Sequence, residues 1–528
     1  MRRKYAFCLA PTSTLTVQEA ELRLAEHSRT FDRSLEEAVL TSVQLAEDGV
    51  YFDTLGSVGE TPSAEDSNLV KLDLWEYAAS IGVVAHEVWV GEYVMADAKD
   101  GTILDYWEHG PGGSADVGKQ YTEGRPSDHA VGVMYNAPWE TPFDGFAEHA
   151  RRCARALASA GCPVHLRSTT PHLVPGDDEH ERWLFKSFGD LAHASIGRYA
   201  VQLHQVVPTE GLLYAMVRHR FLTDDEMKAV NSLRVISTVW ERSPIPMPDV
   251  DALNRVGQAW VACKQNAELL AMWGVTAPIR VVPIPFYPDD PHLKLRGRTR
   301  RPGPPRFYHI GKWEPRKAQD KIVEAFLRAF RPGEAELYVK TSEFAPDVPE
   351  YPSPVACMQR LLEMDAVKAN GWTAANAMPG AVKIFQAKMP ASQLVALHAL
   401  GDVYVTLSRG EGFDMPAFDA KLSRNRMVYT PSGGPQDFAF EHDYVVPATG
   451  RVACPSFYRW GDGATYLDFS VEDAAAAMRT AASDMRFDGT PGVNREPLDA
   501  KRYDRFTLAA VGKQMRSYLG ELAPEVLR

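Results

Sequence analysis

The residues best suited to chemistry lie in two short segments. In GDVYVTLSRGEGFDMPAFDAKL, residues 401 to 422, Glu411 sits between Gly410 and Gly412, and Asp419 follows after seven intervening residues. In FYHIGKWEPRKAQDKIVEAFLRAF, residues 307 to 330, Lys312, Arg316 and Lys317 crowd one loop. Such bases can give charge-assisted hydrogen bonds to the oxygens of a diphosphate. Carboxylates repel phosphate, so two acids beside that seat are suited to gripping hydroxyl groups instead. Phosphate and hydroxyls together describe a sugar nucleotide better than a simple phosphate ester. A basic loop alone is more often a solvated face; the pairing of the two segments is what argues for a site.

Each segment reads as strand, loop, helix. Val403 to Leu407 is an apolar, β-branched run, and the glycines after it permit close backbone approach. Open α/β sheets bind ligands at the carboxyl edge of their strands, where the amides of Phe413, Asp414 and Met415 would meet an anion as a helix begins. Ser408 and Arg409 flank the turn as assisting groups, and Gly433 with Gly434 makes a further bend whose N–H groups can reach ligand oxygens. Behind the basic loop, Ile322, Ala325, Phe326 and Ala329 recur at helical spacing. His309, in the strand before that loop, is read as structural. Residues 131 to 168 give strand, loop with Gly145, helix and second strand. The polar, basic stretch Asp289 to Pro305 is read as a hinge, leaving a cleft between two domains. A chain of 528 residues exceeds the size one core usually serves.

These motifs resemble the retaining glycosyltransferases of family 4, whose GT-B fold sets two Rossmann-like α/β domains face to face across a cleft. The family's donor signature is a Glu, seven residues and a second Glu, with an Arg and a Lys in the preceding loop for the diphosphate. Glu411 matches the first acid, which the resemblance assigns to the donor sugar, and Asp419 replaces the second, assigned to the ribose hydroxyls. Lys312 stands at the Arg position, Lys317 at the Lys, and Ala318 where Gly is common. The resemblance runs from residue 127 to 480, through RVISTVWERSPIP at 234 to 246 and IRVVPIP at 279 to 285. It implies an extra N-terminal module over 1–126, an acceptor-side domain over 127–288, a linker over 289–305, a donor domain over 306–480 and a helical end over 481–528. Tyr503 to Leu519 is the helix expected to cross back to the first domain.

The implied reaction moves a sugar from a nucleoside diphosphate, UDP or GDP, to an unidentified acceptor with retention of configuration. Lys312 and Lys317 would stabilise the leaving diphosphate and Glu411 would orient donor hydroxyls. The amides after Gly412 would hold donor oxygens. The family's histidine near the reacting carbon is assigned to His204, at the end of the apolar run in YAVQLHQVVP; an ordinary hydrogen-bonded histidine is the alternative. Val382 to Phe385 would receive the base through backbone contacts. Glu241, in VWERSP, either approaches the acceptor or caps local backbone. No cofactor beyond the donor is implied. A noncatalytic sugar-nucleotide-binding or scaffold protein, a phosphorylase-like enzyme and a nucleic-acid-modifying glycosyltransferase remain alternatives.

The first 126 residues match no chemical motif. A helix is expected after Ser34, with Glu37 completing a capping box and Leu35, Val39 and Val43 forming a stripe. Ile81 to Met95 reads as strands broken at Gly91. Packing or oligomerisation is the plainer role for this module and acceptor recognition the sharper one. A net charge of -12 disfavours broad nucleic-acid binding or an acidic membrane surface. No run of 18 apolar residues exists, and the opening MRRKYAFCLAPTSTL has too short an apolar core for a secretory signal, so the expected location is cytoplasmic. Cys8, Cys153, Cys162, Cys263, Cys357 and Cys454 are scattered without a CxxC, which indicates neither a disulfide framework nor a thiolate zinc site. Thr341 to Pro354 is a proline-rich surface loop. Asp249, Val250 and Asp251 form an Asp-x-Asp, but after SPIPMP they read as helix capping, and no metal is expected.

Overall fold

The computed structural model describes residues 131–141, 144–169, 198–206, 231–288, 303–341, 351–386, 391–455, 463–487 and 503–527, a few isolated positions between them, and the backbone of five strands before residue 110. Those five, β1 (Arg2–Leu9), β2 (Val39–Ala46), β3 (Gly49–Leu55), β4 (Ala85–Tyr93) and β5 (Tyr106–His109), form a sheet in the order β2-β3-β1-β4-β5. All its pairs are antiparallel. Two expectations fail here. Val39 and Val43 lie in a strand, not a helix: they pair with Leu55 and Phe52 of β3, and the ladder runs on to Ala46 and Gly49. Ser34, Leu35 and Glu37 lie outside the described residues. Gly91 does not break β4, because Lys4 and Glu108 pair with it from the strands on either side; a glycine with a ladder on both edges weakens a strand without ending it.

The second sheet holds β6 (Val131–Ala137), β7 (Val164–Ser168), β8 (Arg198–Gln205), β9 (Arg234–Thr238), β10 (Gln258–Val261) and β11 (Ile279–Val281) in the order β7-β6-β8-β9-β10-β11. From β8 to β11 the described pairs are parallel. Counted from its first strand this is a 2-1-3-4-5-6 order, with its switch point between β6 and β8. The helices of this part are α1 (Gly145–Ser159), α2 (Met247–Leu253) and α3 (Lys264–Met272). Gly145 opens α1 behind Asp144, whose carboxylate accepts from the amides of Phe146 and Ala147 at 2.8 and 3.0 Å.

The third sheet holds β12 (Arg306–Ile310), β13 (Glu336–Thr341), β14 (Val382–Gln386), β15 (Val403–Thr406), β16 (Arg426–Tyr429) and β17 (Tyr444–Val445) in the order β14-β13-β12-β15-β16-β17. Every pair is parallel. The order is 3-2-1-4-5-6, the doubly wound Rossmann arrangement, and its switch point falls between β12 and β15. Its main helices are α4 (Gln319–Ala329), α5 (Ala391–Leu400), α6 (Met415–Leu422) and α7 (Val471–Phe487); β18 (Ala448–Ala453) and β19 (Thr465–Phe469) form a separate antiparallel ribbon. Phe307, Val339, Val403 and Val405 bury one face of the sheet against Ile322 and Phe326 of α4, so the helical stripe seen in the sequence is the stripe that packs. Two Rossmann-like sheets flanking a cleft, with extra N-terminal strands, make this a GT-B fold.

A last helix, α8 (Leu508–Leu522), lies against α1. Gly512 allows the approach, since a Cβ there would collide with the carbonyl oxygen of Ala156. Gln514 donates to the carbonyl of Val281 at 3.0 Å, and Gln258 to that of Tyr518 at 2.8 Å. Residues 294–302 of the hinge segment and 342–350 of the proline-rich loop lie outside the described residues. Among the described residues no helix is long and apolar enough to cross a membrane. Cys153, Cys162, Cys263 and Cys357 are free and buried, and Cys454 is free and partly exposed; the side chain of Cys8 lies outside the described residues.

Candidate functional site

The loops after β12 and β15 meet at the switch point of the third sheet, and backbone groups lace them together. Arg409 N–H donates to the carbonyl of Arg316 at 2.8 Å, and the Arg316 guanidinium returns a bond to the carbonyl of Gly410 at 2.7 Å. Ala318 ends the first loop in the left-handed region, φ 53° and ψ 39°, and caps α4. Asp414 ends the second in the same region, φ 63° and ψ 68°, and caps α6. Its carboxyl takes a 2.7 Å hydrogen bond from Thr406.

Lys317 and Glu411 meet in this junction. The Lys317 ammonium lies 2.5 Å from Glu411 Oε1, Ser408 Oγ donates to the same oxygen at 2.5 Å, and Arg316 stands 3.4 Å from Oε2. Arg316 also reaches Glu241 at 2.9 Å and Glu314 at 2.6 Å. Among the described residues, two cations are thus shared by Glu241, Glu314 and Glu411, with the Asp414 charge also acting on Lys317. Burial alone would raise the Glu411 carboxyl, but the charges of Lys317 and Arg316 outweigh it and hold the group below its ordinary value. Burial likewise opposes the Lys317 ammonium, and Glu411 and Asp414 more than restore it. Glu241 fares differently: loss of water lifts it to about 7, with Arg316 opposing and the Glu411 charge adding. Asp414 is lifted to about 6 by burial and by Glu411. Among the described residues the site thus holds more carboxyls than cations, and Glu241 and Asp414 titrate near neutrality.

The segment after β9 closes over the acidic turn. A Cβ on Gly410 would run into the carbonyl oxygen of Glu241, and one on Gly412 into the side chain of Val239. Only glycine permits this approach at both positions. Asn266 of α3, buried at 2 % exposure, pins it: its amide donates to the carbonyls of Trp240 at 2.9 Å and Glu411 at 3.2 Å and accepts from Trp240 N–H at 2.7 Å. Neither Arg316 as the central cation nor Asn266 follows from the sequence motif. The available signal for Asn266 is its place just past the carboxyl end of β10, where parallel sheets present polar groups.

Other candidates are placed elsewhere. Lys312 has a side chain 58 % exposed and faces Asp144 at 3.8 Å. Arg409 turns its guanidinium to Asp468 at 3.3 Å and over the ring of Phe469. Phe413 is core, its ring meeting Phe418 and Phe506 edge to face and Phe438 at a tilt, with Met415 packed against the same cluster. Gly434 lies against the carbonyl of Phe413, while the amide of Gly433 already donates to Gln265 of α3. His204 is the penultimate residue of β8 and contacts Gln202 of its own strand at 3.3 Å. His309 is buried, with Nδ1 at 2.8 Å from the carbonyl oxygen of Val405. Asp419 lies in α6 near Arg152 at 3.6 Å and His292 at 3.9 Å. The Asp-x-Asp does not cap α2: Pro246 is the cap residue, which offers no side-chain acceptor, and Asp249 lies buried inside the first turn. Proline's fixed φ suits a helix start without a polar cap.

Comparison with protein-family models gives no match, and comparison with curated proteins gives none. Solved structures are similar. A sucrose-phosphate synthase from Thermosynechococcus elongatus shares 15% identity over 75% of this chain and 99% of its own, with a TM-score of 0.49. HepE of Anabaena in complex with UDP shares 12% over 74% and 100%, with a TM-score of 0.47. A glycosyltransferase from Rickettsia africae shares 10% over 75% and 99%, with a TM-score of 0.47.

Proposed function

We propose that this chain is a glycosyltransferase that takes a sugar from a nucleoside diphosphate and passes it to an acceptor with retention of configuration, in the manner of glycosyltransferase family 4. The observation behind the reading is the meeting of Arg316, Lys317 and Glu411 at the switch point of a 3-2-1-4-5-6 sheet, where such sheets bind nucleotides. Lys317 and Arg316 stabilise the departing diphosphate, each well-placed donor contributing about 3 kcal/mol to the transition state. Glu411 orients donor hydroxyls, while the Asp419 carboxylate, turned toward Arg152 and His292, is given no donor contact. The segment after β9, with Glu241, and the end of β8, with His204, form the acceptor side. The donor is UDP- or GDP-linked, residues 127–288 and 306–480 act as the two domains, and the N-terminal module serves acceptor recognition or self-association.

A second reading has its own support. With four carboxyls around two cations, an incoming diphosphate must displace Glu241 from Arg316, so a protein that binds a sugar nucleotide without turning it over fits the same charges. Release of nucleoside diphosphate from a panel of sugar nucleotides, with and without a broad acceptor extract, separates the two. Turnover of one donor that collapses in Glu411→Ala and Lys317→Ala supports the transferase. Donor binding without turnover across the panel supports the binding protein.

A further inference from the structure

A second polar cluster lies beyond the donor pocket, where the hinge-side segment at His292 meets α5 and α6. We propose that His292, His398 and Asp419 bind a divalent transition-metal ion of the zinc class. One ligand atom from each lies within 4.8 Å of the others. Ligands of a tetrahedral zinc ion stand roughly 3.3 Å apart, given metal–ligand bonds of about 2 Å, so small side-chain rotations close the site.

The two imidazoles are held as metal ligands are held. His292 Nδ1 lies 3.0 Å from Ser423 Oγ, and His398 Nδ1 lies 2.9 Å from the hydroxyl of Tyr308. An imidazole that donates from Nδ1 to a fixed oxygen is oriented to ligate through Nε2. His292 Nε2 already faces Asp419 Oδ2, at 3.9 Å. The rings meet edge to face with centroids 4.8 Å apart, which brings both imidazoles to one point. His292 is 7% and His398 1% exposed.

The charges ask for a cation. Among the described residues Asp419 Oδ1 is buried without a hydrogen-bond partner, since Arg152 stops 3.6 Å away and spends its Nε on Glu148 at 2.8 Å. Arg152 is shared between Glu148 at 2.8 Å and Asp419 at 3.6 Å. A dication on the Oδ2 side of Asp419 would neutralise that carboxylate while Arg152 keeps the Oδ1 side. Two nitrogens and one carboxylate select zinc-class ions over magnesium or calcium, which prefer all-oxygen shells. Bound there, the ion would fasten the hinge-side segment to the donor domain. The inference is independent of sugar transfer, because metal binding is read without donor or acceptor.

The full chain, stripped with a chelator, is dialysed against Zn2+ and separately against Mg2+, and retained metal is counted. About one Zn2+ per chain, no retained Mg2+ and a Tm that rises with Zn2+ are expected. His398→Gln and Asp419→Asn should each weaken Zn2+ binding about tenfold or more, with circular dichroism unchanged. Should His398→Gln fail to fold, Asp419→Asn gives the same reading. Absence of stoichiometric zinc, or zinc binding that Asp419→Asn leaves untouched, overturns the proposal.

Discussion

Glu411 and Asp419 stand on the same strand-turn-helix unit, yet their surroundings are opposite. Glu411 is met at bonding distance by an ammonium and a hydroxyl, 2.5 Å each, and its charge is secured against burial. Among the described residues Asp419 is approached by charged groups only to 3.6 and 3.9 Å, and one of its oxygens has no hydrogen-bond partner. The first acid belongs to a closed ion-pair network. The second belongs to an incomplete one. A buried pair is costly to break because the survivor keeps its desolvation penalty, whereas a carboxylate held off from its neighbours loses little when neutralised.

The sharpest way to break this contrast is to cut both sides. Lys317→Ala leaves Glu411 buried with only Ser408 and a distant Arg316, and should lower the unfolding free energy of the donor domain by about 3 kcal/mol, read from the urea midpoint. Asp419→Asn in metal-free protein should change it by less than about 1 kcal/mol. Equal losses would mean that the two acids are equally well paired. Next in size is Gly410→Ala, whose methyl meets the Glu241 carbonyl. Forcing the β9 segment off the acidic turn should cost about 2 kcal/mol and weaken donor binding, leaving Asp419 untouched.

A smaller effect sharpens the electrostatics. Glu241, lifted to about 7, is charged above that pH and neutral below it. Its charge competes with a diphosphate for Arg316, so lowering pH from 8 to 6 should tighten binding of a sugar nucleotide by about tenfold, one pKa unit being 1.36 kcal/mol. A sugar nucleotide is the right probe because its diphosphate stays fully ionised across this range. Calorimetric titration should show the tightening in the unaltered chain and lose it in Glu241→Gln. Tightening that persists in the variant would shift the titration to Asp414.

These effects also mark what the sequence could disclose. Strand, glycine turn and helix around Glu411 were legible because period, glycine and helix start are local signals, and so was the helical stripe from Ile322 to Ala329. Which base of the loop faces Glu411 was not. Lys312 and Arg316 are chemically alike in the sequence, and the choice is made by Glu241 and Gly410, which lie far from both along the chain. Asn266 escaped for the same reason. In the N-terminal sheet, Val39 and Val43 fit a helical stripe and a strand equally well, and pairing with β3 decides for the strand.

The finest probe lies at Ala318, which sets the angle at which Lys317 is presented to Glu411. Its φ of 53° puts a Cβ-bearing residue in the left-handed region while fully buried, at a cost of about 1 kcal/mol. Glycine adopts that conformation freely but loses more entropy on folding. Ala318→Gly should therefore stabilise the donor domain by a net of about 0.5 kcal/mol, with the Lys317 to Glu411 pair kept and donor affinity unchanged. The urea midpoint tests the first part and donor titration the second. A stabilised variant with weakened donor binding would show that the strained alanine is retained to hold Lys317 in place, and that the closed network around Glu411 depends on backbone angle as well as on charge.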